Sequence, residues 1–85
     1  MKTNGQLKFG KTMITLHNAN IIALVILGLE RKEIAEKLGI KEGTLDTEMR
    51  ILFLNLQVNN AARLAAIAIE NGFDSKGRYK RRRIL

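Results

Sequence analysis

The sequence predicts an all-α domain built from four short helices. Three observations predict this class: proline is absent, apolar residues recur every three or four positions through residues 14–73, and glycines interrupt that pattern. A chain of 85 residues is expected to form one small domain. We therefore divide it into an N-terminal arm (1–13), a helical domain (14–73) and a basic C-terminal tail (74–85), with both end segments expected to be flexible.

The first helix is predicted to begin after Thr15 and to run to about Leu27, where Gly28 ends it. Thr15 has a side chain suited to an N-cap, and Asn18 occupies the third helical position. This helix is apolar around nearly its whole circumference, whereas a surface helix normally shows one apolar stripe. It is expected either to lie centrally in the domain or to contact a partner chain as well.

The central stretch reads as a short helix, a tight turn and a longer helix. It runs from Lys32 to Leu56, with the sequence KEIAEKLGIKEGTLDTEMRILFLNL. Gly39 can adopt the positive φ that ends the first of these helices, and Ile40 is expected to fill the angle between them. The second helix is predicted over about 42–56, with an apolar stripe formed by Leu45, Met49, Leu52 and Leu56. Two helices joined in this way form a helix-turn-helix, whose second helix commonly enters the DNA major groove.

A fourth helix is predicted over about residues 61–70, capped by Asn60 and ended by Asn71-Gly72. Phe73 is expected to fold back onto the core. The inner face consists of Leu64, Ile67 and Ala68. A second apolar face consists of Ala62, Ala65, Ala66 and Ile69. Because small side chains allow another helix to approach closely, this second face predicts a homodimer through the fourth helix.

The positive charge lies at the two ends of the chain and not in the helical region. Residues 1–11 carry three lysines and no acid, residues 76–85 carry six basic residues and no acid, and all eight acids lie between. The tail, which includes Arg81, Arg82 and Arg83, is expected to neutralise phosphates of a nucleic acid. A solvated, disordered charge run is the alternative interpretation of the same residues.

The composition argues against catalysis and against metal binding. Cysteine is absent and His17 is the only histidine, so we expect no metal, no cofactor and no Ser-His-Asp set. No signal peptide is visible, and the apolar run 21–27 is far shorter than the roughly 20 residues that cross a bilayer. We expect a non-enzymatic cytoplasmic protein that does not bind membranes.

From Ile14 to about Phe73 the chain resembles the LuxR-type (GerE-like) four-helix DNA-binding domain of bacterial regulators. The stretch that carries the resemblance best is GLERKEIAEKLGIKEGTL, residues 28–45, and further matches are Arg50, Leu56, Val58, Asn60 and Ala68. The resemblance implies a stand-alone transcriptional regulator that binds duplex DNA sequence-specifically. It also implies a dimer through the fourth helix, with the third helix in the major groove.

The resemblance assigns roles to individual positions. Lys32 and Thr44 match phosphate contacts, and Asp46, Thr47 and Arg50 are expected to point outward from the third helix. Arg50 would contact a phosphate or a guanine, and Thr47 a thymine methyl group or a base-edge acceptor.

The chain departs from the family pattern at several positions, among them Asn18 and Asn20, which replace glutamates usual in the first helix. Asp46 stands where lysine or another polar residue is usual, Glu48 adds an acid nearby, and Gln57 replaces a glycine after the third helix. A carboxylate that faces the groove repels phosphate. The alternative function is therefore a protein-interaction or dimerisation module on the same scaffold, which would modulate another regulator or RNA polymerase without reading DNA.

Overall fold

Four helices preceded by a two-stranded hairpin form the part of the chain, residues 6–9 and 12–79, that the computed structural model describes. The elements are β1 (Gln6–Phe9), β2 (Thr12–Thr15), α1 (Leu16–Ile26), α2 (Arg31–Leu38), α3 (Glu42–Leu56) and α4 (Ala61–Glu70). The predicted all-α class is confirmed, since helices make up most of the described chain.

The hairpin is the element that the sequence did not predict. β1 and β2 are antiparallel, with Gln6 opposite Thr15 and Phe9 opposite Thr12, within and directly after the segment interpreted as an arm. Thr15 is both the last residue of β2 and the N-cap of α1, and its side chain accepts a hydrogen bond of 3.1 Å from the Asn18 N–H. The Thr15 cap was correctly predicted.

Local chemistry sets the other helix ends where the sequence placed them. Gly39 adopts a φ of 70°, which lets the Ile40 N–H donate to the Ala35 carbonyl at 3.0 Å. At the start of α4, the Asn60 side chain accepts a hydrogen bond of 2.8 Å from the Arg63 N–H.

Gln57 takes the conformation that a glycine would take at the end of α3. Its φ is 59°, and it is the only non-glycine residue with a positive φ in the described part of the chain. The Val58 N–H then donates to the Phe53 carbonyl at 3.0 Å, so the break between α3 and α4 keeps a glycine-type geometry despite the substitution.

Replacing Gln57 with glycine is expected to stabilise the protein by roughly 0.5–1 kcal/mol, because a side chain in the left-handed region costs about 1–2 kcal/mol. Urea denaturation of both proteins measures this difference. The adjacent variant Asn59→Gly is the control, since Asn59 does not have a positive φ and should lose stability instead. A loss for Gln57→Gly would contradict the assigned conformation.

The core lies around α1, which contacts the hairpin, α2 and α4. Of the two alternatives for this helix, a central position agrees with the structure. Ala19, Ile21 and Ile22 are buried, and residues 23–26 are half-buried. Buried side chains from every helix surround it. They are Ile34 and Ala35 from α2, Leu45, Met49 and Leu52 from α3, Leu64 and Ala68 from α4, with Ile14, Val58 and Phe73 from outside the helices.

The fold continues past residue 73, the predicted end of the domain, into a C-terminal loop (residues 74–79). Phe73 is buried, as predicted, and it forms a β-bridge with Tyr79; their rings meet edge to face with centroids 5.3 Å apart. This part of the predicted tail therefore belongs to the folded unit. Residues 80–85, with the rest of the predicted tail, lie outside the described residues.

The C-terminal loop closes tightly against α1. The Asp74 carboxylate accepts hydrogen bonds of 2.9 Å from the backbone N–H groups of Lys76 and Arg78, which shapes the turn. Gly77 is buried, has a φ of +79°, and lies so close to Ala23 that a Cβ there would be 2.8 Å from the Ala23 carbonyl oxygen. Only glycine satisfies both conditions at this position.

Across residues 6–9 and 12–79, no single helix has the length and apolar composition to cross a membrane. α3 and α4 have that length and composition only when they are taken together, and the pair is bent by 52° at the junction.

Candidate nucleic-acid interface

α2 and α3 form the helix-turn-helix, connected by residues 39–41. The two helices contact each other through buried side chains, with Ile34 and Ala35 on α2 and Leu45, Met49 and Leu52 on α3. Because these three α3 residues recur at helical spacing, they orient the helix and leave its opposite side in solvent.

The side of α3 opposite the core is an exposed row without acidic residues. We call this set the outer row; its members are Gly43, Thr47, Arg50, Ile51 and Leu54, and all five are exposed. Arg50 supplies the only charge in it. The first part of the row is small and polar, which allows close approach of a polyanion, and the second part is aliphatic. The outward position predicted for Thr47 and Arg50 agrees with this arrangement.

α3 carries three acids: Glu42 is exposed in its first turn, and Asp46 and Glu48 lie on either flank of the outer row. Asp46 and Glu48 are each paired with a residue of another helix. Asp46 Oδ1 lies 3.1 Å from Arg31 Nη1 of α2. Glu48 Oε1 lies 2.7 Å from His17 Nε2 of α1, within hydrogen-bond distance. Among the described residues none of the three acids forms an ion pair with Arg50. Asp46 and Glu48 pair with Arg31 and His17 instead, which leaves the guanidinium of Arg50 without an ion-pair partner.

The contact between Arg31 and Asp46 is an ion pair without hydrogen-bond geometry. Asp46 Oδ1 is shielded from solvent yet accepts no hydrogen bond from any described residue, although 43% of the side chain is exposed. The pair borders a cleft of about 230 Å³ that Arg31, Asp46, Met49, Arg50 and Phe53 line. Two guanidinium groups therefore face one cleft that holds a single carboxylate.

Replacing Asp46 with asparagine is expected to change the free energy of unfolding by less than about 1 kcal/mol, because exposed ion pairs contribute only about 0.2–1 kcal/mol. The same change frees Arg31. If α3 contacts DNA, non-specific affinity should rise, and the slope of log affinity against log salt should steepen by about 0.9 for one added phosphate contact.

Thermal unfolding and fluorescence anisotropy measure the two effects of Asp46→Asn. Glu70→Gln is the matched control, since it removes one exposed acid from α4, away from the helix-turn-helix. An equal rise in affinity for both variants would mean that only net charge changed. No rise for Asp46→Asn would show that its flank of α3 does not face the phosphates.

The other predicted contact residues lie on the surface near the helix-turn-helix. Lys32, in the first turn of α2, and Thr44, in the first turn of α3, are both exposed. Arg81, Arg82 and Arg83 lie outside the described residues. On α4, the second apolar face is open, with Ala62, Ala66 and Ile69 exposed and Ala65 half-buried.

Sequence reasoning missed the two residues that pair with Asp46 and Glu48. Arg31 is 15 positions from Asp46, and His17 is 31 positions from Glu48. Helical periodicity relates residues three or four positions apart, so no pattern in the sequence joins these pairs.

The chain matches no established family model and no solved structure. It is similar to the transcriptional regulatory protein MctR of Rhizobium johnstonii, with 34% identity over 67 residues. This match covers 79% of the chain but only 31% of the relative, so the chain spans about a third of that protein. A four-helix fold containing α2 and α3, together with this similarity, fits a helix-turn-helix regulator.

Proposed function

We propose that this protein is a transcriptional regulator that binds duplex DNA sequence-specifically, with α3 in the major groove. The observation that carries the proposal is the outer row: an exposed helix side that holds one guanidinium and no acid, while the flanking Asp46 and Glu48 pair with Arg31 and His17. Lys32 and Thr44 would contact the phosphates on either side of the groove.

The similarity to a protein named as a transcriptional regulator supports this role. The segment 28–45, the helix order and the position of the α2–α3 turn support the finer proposal of a LuxR-type domain. The chain spans only about a third of the relative, so that similarity supports the regulatory role alone.

We extend the proposal to a homodimer through α4. Ala62, Ala66 and Ile69 form an exposed stripe of mostly small side chains on the side opposite the buried Leu64 and Ala68. Sedimentation velocity of the wild type and of Ala66→Glu tests it. A dimer that the variant converts to a monomer supports the interface, whereas a wild-type monomer at high concentration contradicts it.

The experiment that tests DNA binding is fluorescence anisotropy with a labelled pool of random duplexes, titrated at several salt concentrations. It compares the full chain with a variant in which Lys80, Arg81, Arg82 and Arg83 are replaced by glutamine. We expect the variant to bind more weakly and with a shallower salt slope, since each phosphate contact contributes about 0.9 to that slope. It should still select the same duplexes, because the outer row is intact.

The second candidate function is a protein-interaction module, which the exposed aliphatic part of the outer row favours. Ile51 is 53% and Leu54 73% exposed. Binding that disappears in the tail variant and shows no sequence preference would contradict the first proposal. The protein would then be a scaffold that contacts another regulator or RNA polymerase.

A further inference from the structure

The aliphatic residues of α3 lie on the same side of the helix as Arg50. Arg50 and Ile51 are three and four positions after Thr47, and Leu54 is four and three positions after them, so the four side chains lie on one side of α3. Two residues adjoin Arg50 on this side of the helix. Thr47 lies on the preceding turn and Ile51 is the next residue, and both expose carbon atoms to solvent. A guanidinium is therefore flanked by apolar groups on a surface proposed to meet DNA.

The hydroxyl group of Thr47 already donates a hydrogen bond within α3. Its Oγ1 donates to the Gly43 carbonyl at a distance of 3.2 Å, one turn earlier in α3. The hydroxyl is therefore not available as a donor to a base-edge acceptor, which was one of the two roles predicted for it. The hydroxyl oxygen can still accept a hydrogen bond. The γ-methyl group remains free for an apolar contact.

In the major groove, the C5-methyl group of thymine is the apolar feature among the four standard bases. Along a helix with a rise of 1.5 Å per residue, Thr47 and Ile51 are about 6 Å apart. Base pairs are stacked at about 3.4 Å, so this separation corresponds to about two base-pair steps.

We infer that Thr47 and Ile51 determine sequence specificity by contacting thymine methyl groups next to the base pair that Arg50 contacts. The inference rests on the proposed DNA-binding function and names the chemistry that the outer row would select: duplexes with thymines about two steps apart. It assigns Ile51 a role that its residue type alone does not indicate.

The test begins with the duplex that the full chain selects from the random pool. Each thymine in that duplex is replaced singly by deoxyuridine, which removes only the C5-methyl group, and affinity is measured by anisotropy. We expect one or two replacements to weaken binding by about fourfold each, the value of one buried methyl group. The remaining replacements should have no effect.

Variants of the protein then assign each sensitive thymine to a residue. Thr47→Ser keeps a hydroxyl for the Gly43 carbonyl and removes the methyl group, so it should abolish the effect of deoxyuridine at one position. Thr47→Val retains methyl groups and should keep that effect. Ile51→Ala should abolish the effect at the second position, whereas Leu27→Ala, at an exposed leucine after α1 and outside both proposed interfaces, should leave every position sensitive.

The outcomes separate this inference from the function on which it rests. Equal affinity for thymine and deoxyuridine at every position, with selective binding retained, overturns the methyl contacts and leaves DNA binding intact. Sensitivity that persists in both Thr47→Ser and Ile51→Ala also overturns the assignment. The absence of any selected duplex instead overturns the proposed function.

Discussion

Replacing Arg50 with alanine is expected to weaken binding of the selected duplex by about 5- to 150-fold, corresponding to roughly 1–3 kcal/mol for a bidentate arginine–guanine contact. Arg50 supplies the only charge in the outer row, and no acid among the described residues pairs with it. Because the side chain is exposed, the free energy of unfolding should change by no more than about 0.5 kcal/mol.

Two further variants identify what Arg50 contributes. Arg50→Lys keeps the charge but loses the planar pair of donors, so non-specific binding should persist while sequence preference declines. Arg63→Ala removes one exposed cation from α4 and should weaken binding only slightly. Wild-type affinity for the selected duplex in Arg50→Ala, with the fold intact, would contradict the placement of α3 in the groove.

Replacing Gly77 with alanine is expected to lower the free energy of unfolding by about 2–4 kcal/mol, since the left-handed conformation and overpacking each cost about 1–3 kcal/mol. The added Cβ would lie 2.8 Å from the Ala23 carbonyl oxygen and 2.9 Å from its Cβ. The C-terminal loop would have to separate from α1. Denaturant titration measures the loss, and the melting temperature should fall by more than about 8 °C.

Gly28→Ala is the matched control for this variant. Gly28 has a φ of +86°, close to that of Gly77, but nothing lies within 4 Å of a Cβ at that position. Its substitution carries the conformational cost alone, about 1 kcal/mol. The difference between the two variants measures the contact with α1, so equal losses would mean that the C-terminal loop is not packed there.

The helices were predictable because short-range chemistry determines where they begin and end. Thr15, Gly39 and Asn60 act on backbone groups within four residues, and each was assigned its role from sequence alone. Periodicity also separates Thr47 and Arg50 from the buried Leu45 and Leu52, but Asp46, expected to point outward with them, is half-buried on the flank of α3.

What the sequence did not reveal depends on contacts between distant segments. Residues 74–79 contain aspartate, serine and glycine, a composition typical of a linker. Contacts with distant residues, of Gly77 with Ala23 and of Tyr79 with Phe73, make them part of the fold. The hairpin likewise depends on the pairing of two short strands that have a weak apolar pattern. The neutralisation of Asp46 depends on where α2 is packed, which no local pattern specifies.

The dual position of Thr15 has a consequence for how the molecule opens. Thr15 is both the last residue of β2 and the N-cap of α1, so no linker residue separates the strand from the helix. Slippage of the strands by one residue would turn every β2 side chain to the opposite face, and Thr15 would no longer hold the Asn18 amide. Strand pairing and the first turn of α1 therefore form one cooperative unit of local unfolding, in which amide hydrogens on both sides of Thr15 exchange together.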